Sequence, residues 1–544
     1  MDKLYKTRRF QRLGRVFLCF TVILLSSTAA PLGMRPASAS QQITEITQTL
    51  LQLMEKQDST KITSDDYAST SLKDLVTLGT PAGYRLKLRY LNFGISLVEG
   101  LKVARDPELK RRLIEMAQWS RNSQVRAQAI VTLASLFDPT HKKYFKEAIL
   151  DRDIAIRFAA VEALQLWNQP EALPLLRMAM DRDWSPLMKI EAAQALLSLG
   201  QTDAIQVLWT SLDDNSWVVR AMAAHYLGDF GAPDDYEKLL TRLEVETSRN
   251  DFVVAELSIA CLKLISRKNE KISYNPASKG WRDNEEVKYT MGKDSVIELE
   301  PLIIIPPQLR VPPSLQAAAR INGELLRLIR DRLGVPLDPL QAQDPVVIND
   351  LNNLNTPTGF ATKTRYTELS YLVVEALAGT SDPTLRGELQ RFARESTNPL
   401  VKADALIALA YSRNEDDLNL MQDALGDKNS LVRFGAMEAI EEGRFKSAVP
   451  SLVGIAQGDP SSALQVYAMQ LLAKFGDPSG RNLMLTKLDD PDWPSRAMSF
   501  WYLGRYGQPD DYPMILARLP VEQNPFVQAE ITLAALRLAP VESQ

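Results

Sequence analysis

Thiol and imidazole chemistry is almost missing from this chain: its 544 residues include two cysteines and two histidines. Cys19 lies in an apolar run near the N terminus, so Cys261 stands alone in the body of the chain, without a partner for an internal disulfide. Such a lone thiol reads as a small buried hydrophobe, and packing alone must hold the fold. The chain contains no Ser-His-Asp set, glycine-rich phosphate loop, Cys-x-x-Cys pair or calcium loop. Acidic pairs such as Asp213-Asp214 and Asp489-Asp490 read as helix-terminal charges rather than catalytic dyads. The expectation is a protein with no catalytic residues, no cofactor and no metal.

An excess of positive charge is lacking too, since 63 Lys and Arg face 67 Asp and Glu for a net charge of −4. Residues 1–39 read as a secretory signal peptide. Lys3, Lys6, Arg8, Arg9, Arg12 and Arg15 form its basic start, Val16–Ala30 its apolar run, and Ala37-Ser38-Ala39 a small-residue cleavage site. The apolar run falls short of the roughly 20 residues of a membrane span, so no integral span is expected after cleavage, an uncleaved anchor being the alternative. Removing the leader takes away seven basic residues and one acid. The 56 positive and 66 negative charges that remain give a net −10. That balance argues against nucleic-acid partners and anionic membranes, both of which select basic surfaces. The expected address is the periplasm or another extracytoplasmic compartment.

What the chain does have is repetition. Asp213–Tyr236 returns at Asp489–Tyr512, an offset of 276, with 14 of 24 positions identical. The same offset carries Pro81 onto Pro357, Tyr90 onto Tyr366, Arg157 onto Arg433 and Gly200 onto Gly476. The chain is an internal duplication. Inside each copy runs a shorter period, Val/Ile-Arg-x-x-Ala-x-x-Ala-Leu, at Val125, Ile156, Met188 and Val219 and more loosely at Val253. Its basic positions Arg126, Arg157, Lys189 and Arg220 are 31, 32 and 31 residues apart. The second copy repeats the pattern at Val401, Val432, Leu464, Ser495 and Val527. Amphipathic segments such as Glu171–Met180 and Thr202–Leu212 fill the intervals, so each unit is a helical hairpin that must stack on its neighbours to hide its apolar face.

The expected fold is all-α: an α-solenoid in two duplicated arms. Residues 40–266 form the first arm, 267–313 a Pro-rich insert and 314–544 the second arm. Three Pro-bounded runs in Ser295–Pro313 argue for extended strands or a crossover rather than helix. Gly231 and Gly507 follow their helices where a left-handed C-cap would use glycine.

The Val-Arg-x-x-Ala-x-x-Ala-Leu units, clearest at Arg126, Arg157, Arg220 and Arg433, resemble HEAT repeats of the phycobilisome-lyase-like variety. The resemblance covers most of Leu101–Leu264 and Leu377–Leu538. It implies that Arg126, Arg157, Arg220, Arg433 and Arg496 are structural and bond across repeats. Lys189, Lys402, Gln465 and Gln528 interrupt that ladder. Relatives of the deoxyhypusine-hydroxylase kind hold two irons on His-Glu dipeptides, but here neither His141 nor His225 precedes a glutamate. A bilin-lyase-like activity is hard to square with an export signal.

The candidate protein-binding surface is the duplicated set Trp217, Arg220, Met222, His225 and Tyr226 with Trp493, Arg496, Met498, Trp501, Tyr502 and Arg505. Trp, Tyr and Arg are the usual anchors of protein interfaces. The competing account places these aromatics in the seams between repeats, with the arginines on loop carbonyls. Met222, His225, Asp229, Met498, Trp501 and Arg505 are expected to point away from the seams. A second shared patch, Pro81, Gly83, Arg89, Tyr90 and Glu99 with Pro357, Gly359, Arg365, Tyr366 and Glu375, reads as a buried or a helix-surface Arg–Glu pair within each copy. The functional expectation is a non-catalytic scaffold binding one or more protein partners. The alternatives are an enzyme with its chemistry in the insert or between the arms, and a carbohydrate binder that stacks sugars on Trp217, Trp493 and Trp501.

Overall fold

The computed structural model describes residues 39–56, 68–91, 93–94, 97–98, 107–246, 250–270, 316–331, 345–354, 356–366, 369, 372 and 383–539. The leader and nearly all of the 267–313 insert lie outside them. The chain divides into two compact units, Met1–Gln48 and Thr49–Gln544. The described part of the first is the start of helix α1 (Ala39–Lys56). The second holds every repeat.

Among the described residues the second unit is helical. The first copy supplies α2 (Thr70–Thr77), α3 (Pro81–Leu91), then five hairpins. Their outer helices are α4 (Pro107–Trp119), α6 (Lys142–Ala148), α8 (Ala172–Arg182), α10 (Ile205–Ser211) and α12 (Tyr236–Glu246). The inner helices are α5 (Ser123–Ser135), α7 (Ile154–Trp167), α9 (Pro186–Ser198), α11 (Trp217–Phe230) and α13 (Asp251–Glu270). Each inner helix packs on the next and on its own outer helix.

Helix α14 (Gln316–Asp331) packs on α13 and opens the second copy, followed by α15 (Pro345–Asn352) and α16 (Pro357–Arg365). Five hairpins follow again. The outer helices are α17 (Pro383–Glu395), α19 (Leu418–Ala424), α21 (Val449–Gly458), α23 (Pro478–Thr486) and α25 (Tyr512–Leu516). The inner ones are α18 (Pro399–Ala410), α20 (Ser430–Gly443), α22 (Ser462–Lys474), α24 (Trp493–Tyr506) and α26 (Pro525–Leu538).

Local sequence explains the starts. Asn122, Asp153, Asn398, Asn429 and Asn524 accept backbone N–H bonds as N-caps of inner helices, which satisfies donors the helix cannot. The C-termini correct one expectation. Gly231 and Gly507 have φ of −65° and −72°, so neither is left-handed. Glycine is needed there because a Cβ would stand 2.5 Å from the Leu227 carbonyl oxygen and 2.4 Å from that of Leu503. The left-handed glycines are the other duplicated pair, Gly200 and Gly476, at φ 83° and 86°.

The arginine ladder stitches each unit to the next. Arg157 donates to the carbonyls of Asp151 and Arg152 in its own loop and to the Asp183 carboxylate at the next unit's loop, 2.8 Å away. Arg220 repeats this with Asp214, Asn215 and Glu246, Arg433 with Asp427, Lys428 and Asp459, and Arg496 with Asp490, Pro491 and Glu522. The carboxylate lies 26 residues on in all four. Arg126 reaches Asp151, and Lys402, expected to interrupt the ladder, is corrected: its ammonium makes the equivalent bond to Asp427. At Gln465 and Gln528 the amide bonds only the loop carbonyls of Asp459 and Glu522. There the charge ladder is interrupted, as the sequence pattern implies.

Inner helices cross closely where α11 meets α13 and α24 meets α26, as they do where α18 meets α20. A Cβ on Gly228 would lie 2.8 Å from Ala260 Cα, and one on Gly504 3.0 Å from Ala534 Cα. Gly228→Val therefore costs about 1–3 kcal/mol in urea unfolding. Gly454, where a Cβ meets nothing within 4 Å, is the control. Gly454→Ala gains up to about 1 kcal/mol from helix propensity. Equal effects at both sites would contradict the close crossing.

Candidate functional site

The inner helices have apolar residues on every side rather than along a stripe, and α7, α11 and α24 are buried over almost their whole length. A helix of that kind needs cover all round. Outer helices cover one side and stacked neighbours two more. The fourth side is covered by the other copy. Helix α2 of the first copy packs on α20, α22 and α24 of the second, while α15 packs on α9 and α11 and α16 on α7 of the first.

Polar contacts fix this exchange. Asp492, before α24, accepts a hydrogen bond from the Ser71 backbone N–H at 2.9 Å and another from the Ser69 hydroxyl. Glu438 accepts from the Ala82 N–H at 2.8 Å, placing a carboxylate of the second copy on the N-terminal turn of α3. The first copy's counterpart, Glu162, accepts from the Thr358 hydroxyl at 2.8 Å in the first turn of α16.

Each crossing centres on a buried ion pair. Arg89 grips Glu530 with two parallel bonds of 2.5 and 2.6 Å, and the two side chains are 1% and 0% exposed. In the other crossing Arg365 grips Glu256, its second bond being 2.7 Å. The Arg–Glu pairs expected within one copy are thus corrected: these arginines reach across to the opposite copy, while Glu99 and Glu375 lie outside the described residues. Aromatics wall both sites. Tyr90 meets Trp493 edge-on at 6.3 Å, Phe93 meets Phe526 at 5.0 Å, and Arg89 lies 4.3 Å over Trp501. Tyr366 meets Trp217 edge-on at 6.5 Å and donates its hydroxyl to Glu256 at 3.2 Å.

These contacts locate the expected binding residues. Trp217, Met222, Trp493, Met498, Trp501 and Tyr502 are buried, Met222 and Met498 to 1% and 0%. The expectation that Met222, Met498 and Trp501 face a free groove is corrected, because the other copy's helices already lie over that layer. Trp217, Trp493 and Trp501 are likewise not open platforms for sugars. Arg220 and Arg496 belong to the ladder. Tyr226 donates to Glu191 at 2.9 Å, and His225 Nδ1 stands 3.4 Å from Glu256. Arg505 lies 4.8 Å over the Trp501 ring. The duplicated set comes together, but as the lining of an internal joint. All-round apolarity in Val218–Leu227 was the sequence signal for that cover.

The two joints differ in charge. Around Glu256 stand His225, Asp229 and Lys263, the last pair 2.8 Å apart. Trp501 and Arg505 take the places of His225 and Asp229 at the other joint. Burial raises the Glu256 carboxyl, but Arg365 and then His225 overcome it and hold the group well below the usual range. Burial pushes Glu191 up to about 8 despite the Tyr226 hydroxyl, which lowers it. Burial also pushes the Cys261 thiol up to about 12, in keeping with an inert core residue. Among the described residues no group of three or more His, Cys, Asp and Glu could hold a metal, and no helix is long and apolar enough to cross a membrane.

Two predictions follow from these charges. Glu530→Gln strands the buried Arg89 and costs about 3–5 kcal/mol. The double change Arg89→Met with Glu530→Leu recovers most of that loss in urea unfolding, and equal losses in both variants would contradict a buried pair. Glu191 has a folded pKa raised above its unfolded value, so the folded form holds the extra proton from about pH 4.5 to about 8. Its contribution to stability falls as pH rises through that window. Glu191→Gln should match the natural chain near pH 4.5 and gain on it by on the order of 1 kcal/mol per pH unit up to pH 8. Parallel stability–pH curves would refute this.

A family model described as HEAT repeats matches residues 110–197, 179–260 and 449–536. Comparison of the sequence with curated proteins gives no match. Among solved structures, human deoxyhypusine hydroxylase is similar at 16% identity over 69% of this chain and 98% of that one, with a TM-score of 0.24. Kap121p is similar at 12% over 90% of this chain and 52% of that one, TM-score 0.34. The S. pombe condensin Cnd3-Cnd2 subcomplex is similar at 14% over 92% and 80%, TM-score 0.25. The three matched segments and the stacked hairpins together make the chain a HEAT-like repeat protein, an all-α solenoid.

Proposed function

We propose that the protein is a non-catalytic scaffold that binds other proteins outside the cytoplasm. One observation carries the reading: the inner layer of each copy already holds protein, namely two short helices of the other copy. Repeated Trp, Tyr and Arg side chains form that layer, and such residues dominate protein interfaces. With the inner faces taken, an external partner must use the outer helices or the loop edges. Export is supported by the basic, apolar and small-residue segments of residues 1–39.

Fractionation of cells producing the full chain tests the reading. The protein is expected outside the cytoplasm with Ser40 as its first residue, and photo-crosslinkers on its outward surface are expected to capture a protein. Retention in the cytoplasm with Met1 intact would overturn the address. Crosslinkers that capture nothing at any surface position would overturn the scaffold.

A further inference from the structure

Among the described residues the large exposed hydrophobics are Trp119, Phe137, Leu150, Trp184, Val245 and Val521. All but Phe137 sit at one kind of place, the turn from an outer helix to its inner helix. In the first copy three successive hairpins supply Trp119, Leu150 and Trp184, exposed to 76%, 61% and 68%. The matching positions of the second copy are Glu395, Gly426 and Pro460, so duplication alone does not account for the row.

An exposed arginine stands within two residues of each: Arg121, Arg152 and Arg182. Three of the nearby acids are already committed. Asp151 pairs with Arg126, Asp183 pairs with Arg157, and Asp153 caps α7. Asp181 beside Arg182 and Glu147 near Leu150 remain exposed. The row thus interleaves three exposed arginines with its three exposed apolar side chains.

The end residues of the row are also shaped. Trp184 stacks on Arg157, whose guanidinium carbon is 3.8 Å from the ring centroid and is itself tied to Asp183. The indole is held in place with its other face open. Trp119 borders an open depression of about 160 Å³ lined by Met54, Met116, Arg112, Glu55 and Glu115.

We propose that this row is a docking strip for an extended, acidic peptide segment of a partner protein, with an apolar side chain at every third residue. The spacing carries the stoichiometry. Packed helices stand about 8–10 Å apart, so the row advances by about that much per hairpin. A polyproline-II chain has three residues per turn and rises about 3.1 Å per residue, returning the same face every 9 Å or so. Its apolar residues would meet Trp119, Leu150 and Trp184 in turn, and its carboxylates the three arginines. The proposal rests on the scaffold reading and names the chemistry of its partner.

Fluorescein-labelled (Leu-Asp-Pro)4 and the mature chain, residues 40–544, test it by fluorescence anisotropy. Binding is expected, with about tenfold or greater loss in Trp119→Ala, in Trp184→Ala and in the triple change of Arg121, Arg152 and Arg182 to Glu. Val521→Ala should bind unchanged and (Leu-Lys-Pro)4 should not bind. Absence of binding, or affinity indifferent to these variants, overturns the strip. Cosedimentation with phosphatidylglycerol vesicles that needs Trp119 and Trp184, without peptide binding, overturns it in favour of a lipid surface. If photo-crosslinkers capture a protein at other surface positions but not at 119 or 184, the strip alone fails. If they capture none anywhere, the scaffold reading fails with it.

Discussion

Two buried arginine–glutamate pairs hold the constraint on which this molecule turns. Arg89 with Glu530 and Arg365 with Glu256 each join one copy of the duplicated sequence to the other. A charge taken out of water is tolerated only with a well-placed opposite charge, so each arginine must find the opposite copy's glutamate. That requirement sets the register of the exchanged helices. It also explains why the inner helices carry apolar residues all round: α7, α9, α11, α20, α22 and α24 each receive a helix on the side a simple solenoid would leave open.

The exchange changes what the repeats are for. In an open stack the inner layer would be the obvious place for a ligand. Here it forms an internal joint, lined by Trp217 and Tyr366 on one side and by Trp493 and Tyr90 on the other. The turns and outer helices remain on the surface, and there the first copy has Trp119, Leu150 and Trp184 while the second does not. The joints have diverged too, one collecting His225, Asp229 and Lys263, the other Trp501 and Arg505.

Much of this was legible in the residues. The 31–32-residue period gave the hairpins, and Arg157, Arg220, Arg433 and Arg496 bond across repeats as the resemblance implies. Gln465 and Gln528 break the ladder where they should. The exchange itself was hidden, because periodicity reports which faces of a helix are apolar but not which distant segment covers them. Met222, Met498 and Trp501 were apolar for cover rather than for a partner. Gly231 and Gly507 were misread for a related reason: glycine there answers a close carbonyl, not a left-handed φ, and the sequence does not separate those needs.

Linking the two copies covalently through the exchange tests the account most directly. Ser69 and Asp492 are hydrogen-bonded and partly exposed, yet 423 residues apart in sequence. With Ser69→Cys and Asp492→Cys in a chain of residues 40–544, whose natural Cys261 is buried, mild oxidation or a short bis-maleimide should join the two cysteines within one molecule. Mass spectrometry would find their peptides linked in the folded protein and separate in urea. Two thiols that stay free and unlinked in the folded protein would contradict the exchange and the internal joint built on it.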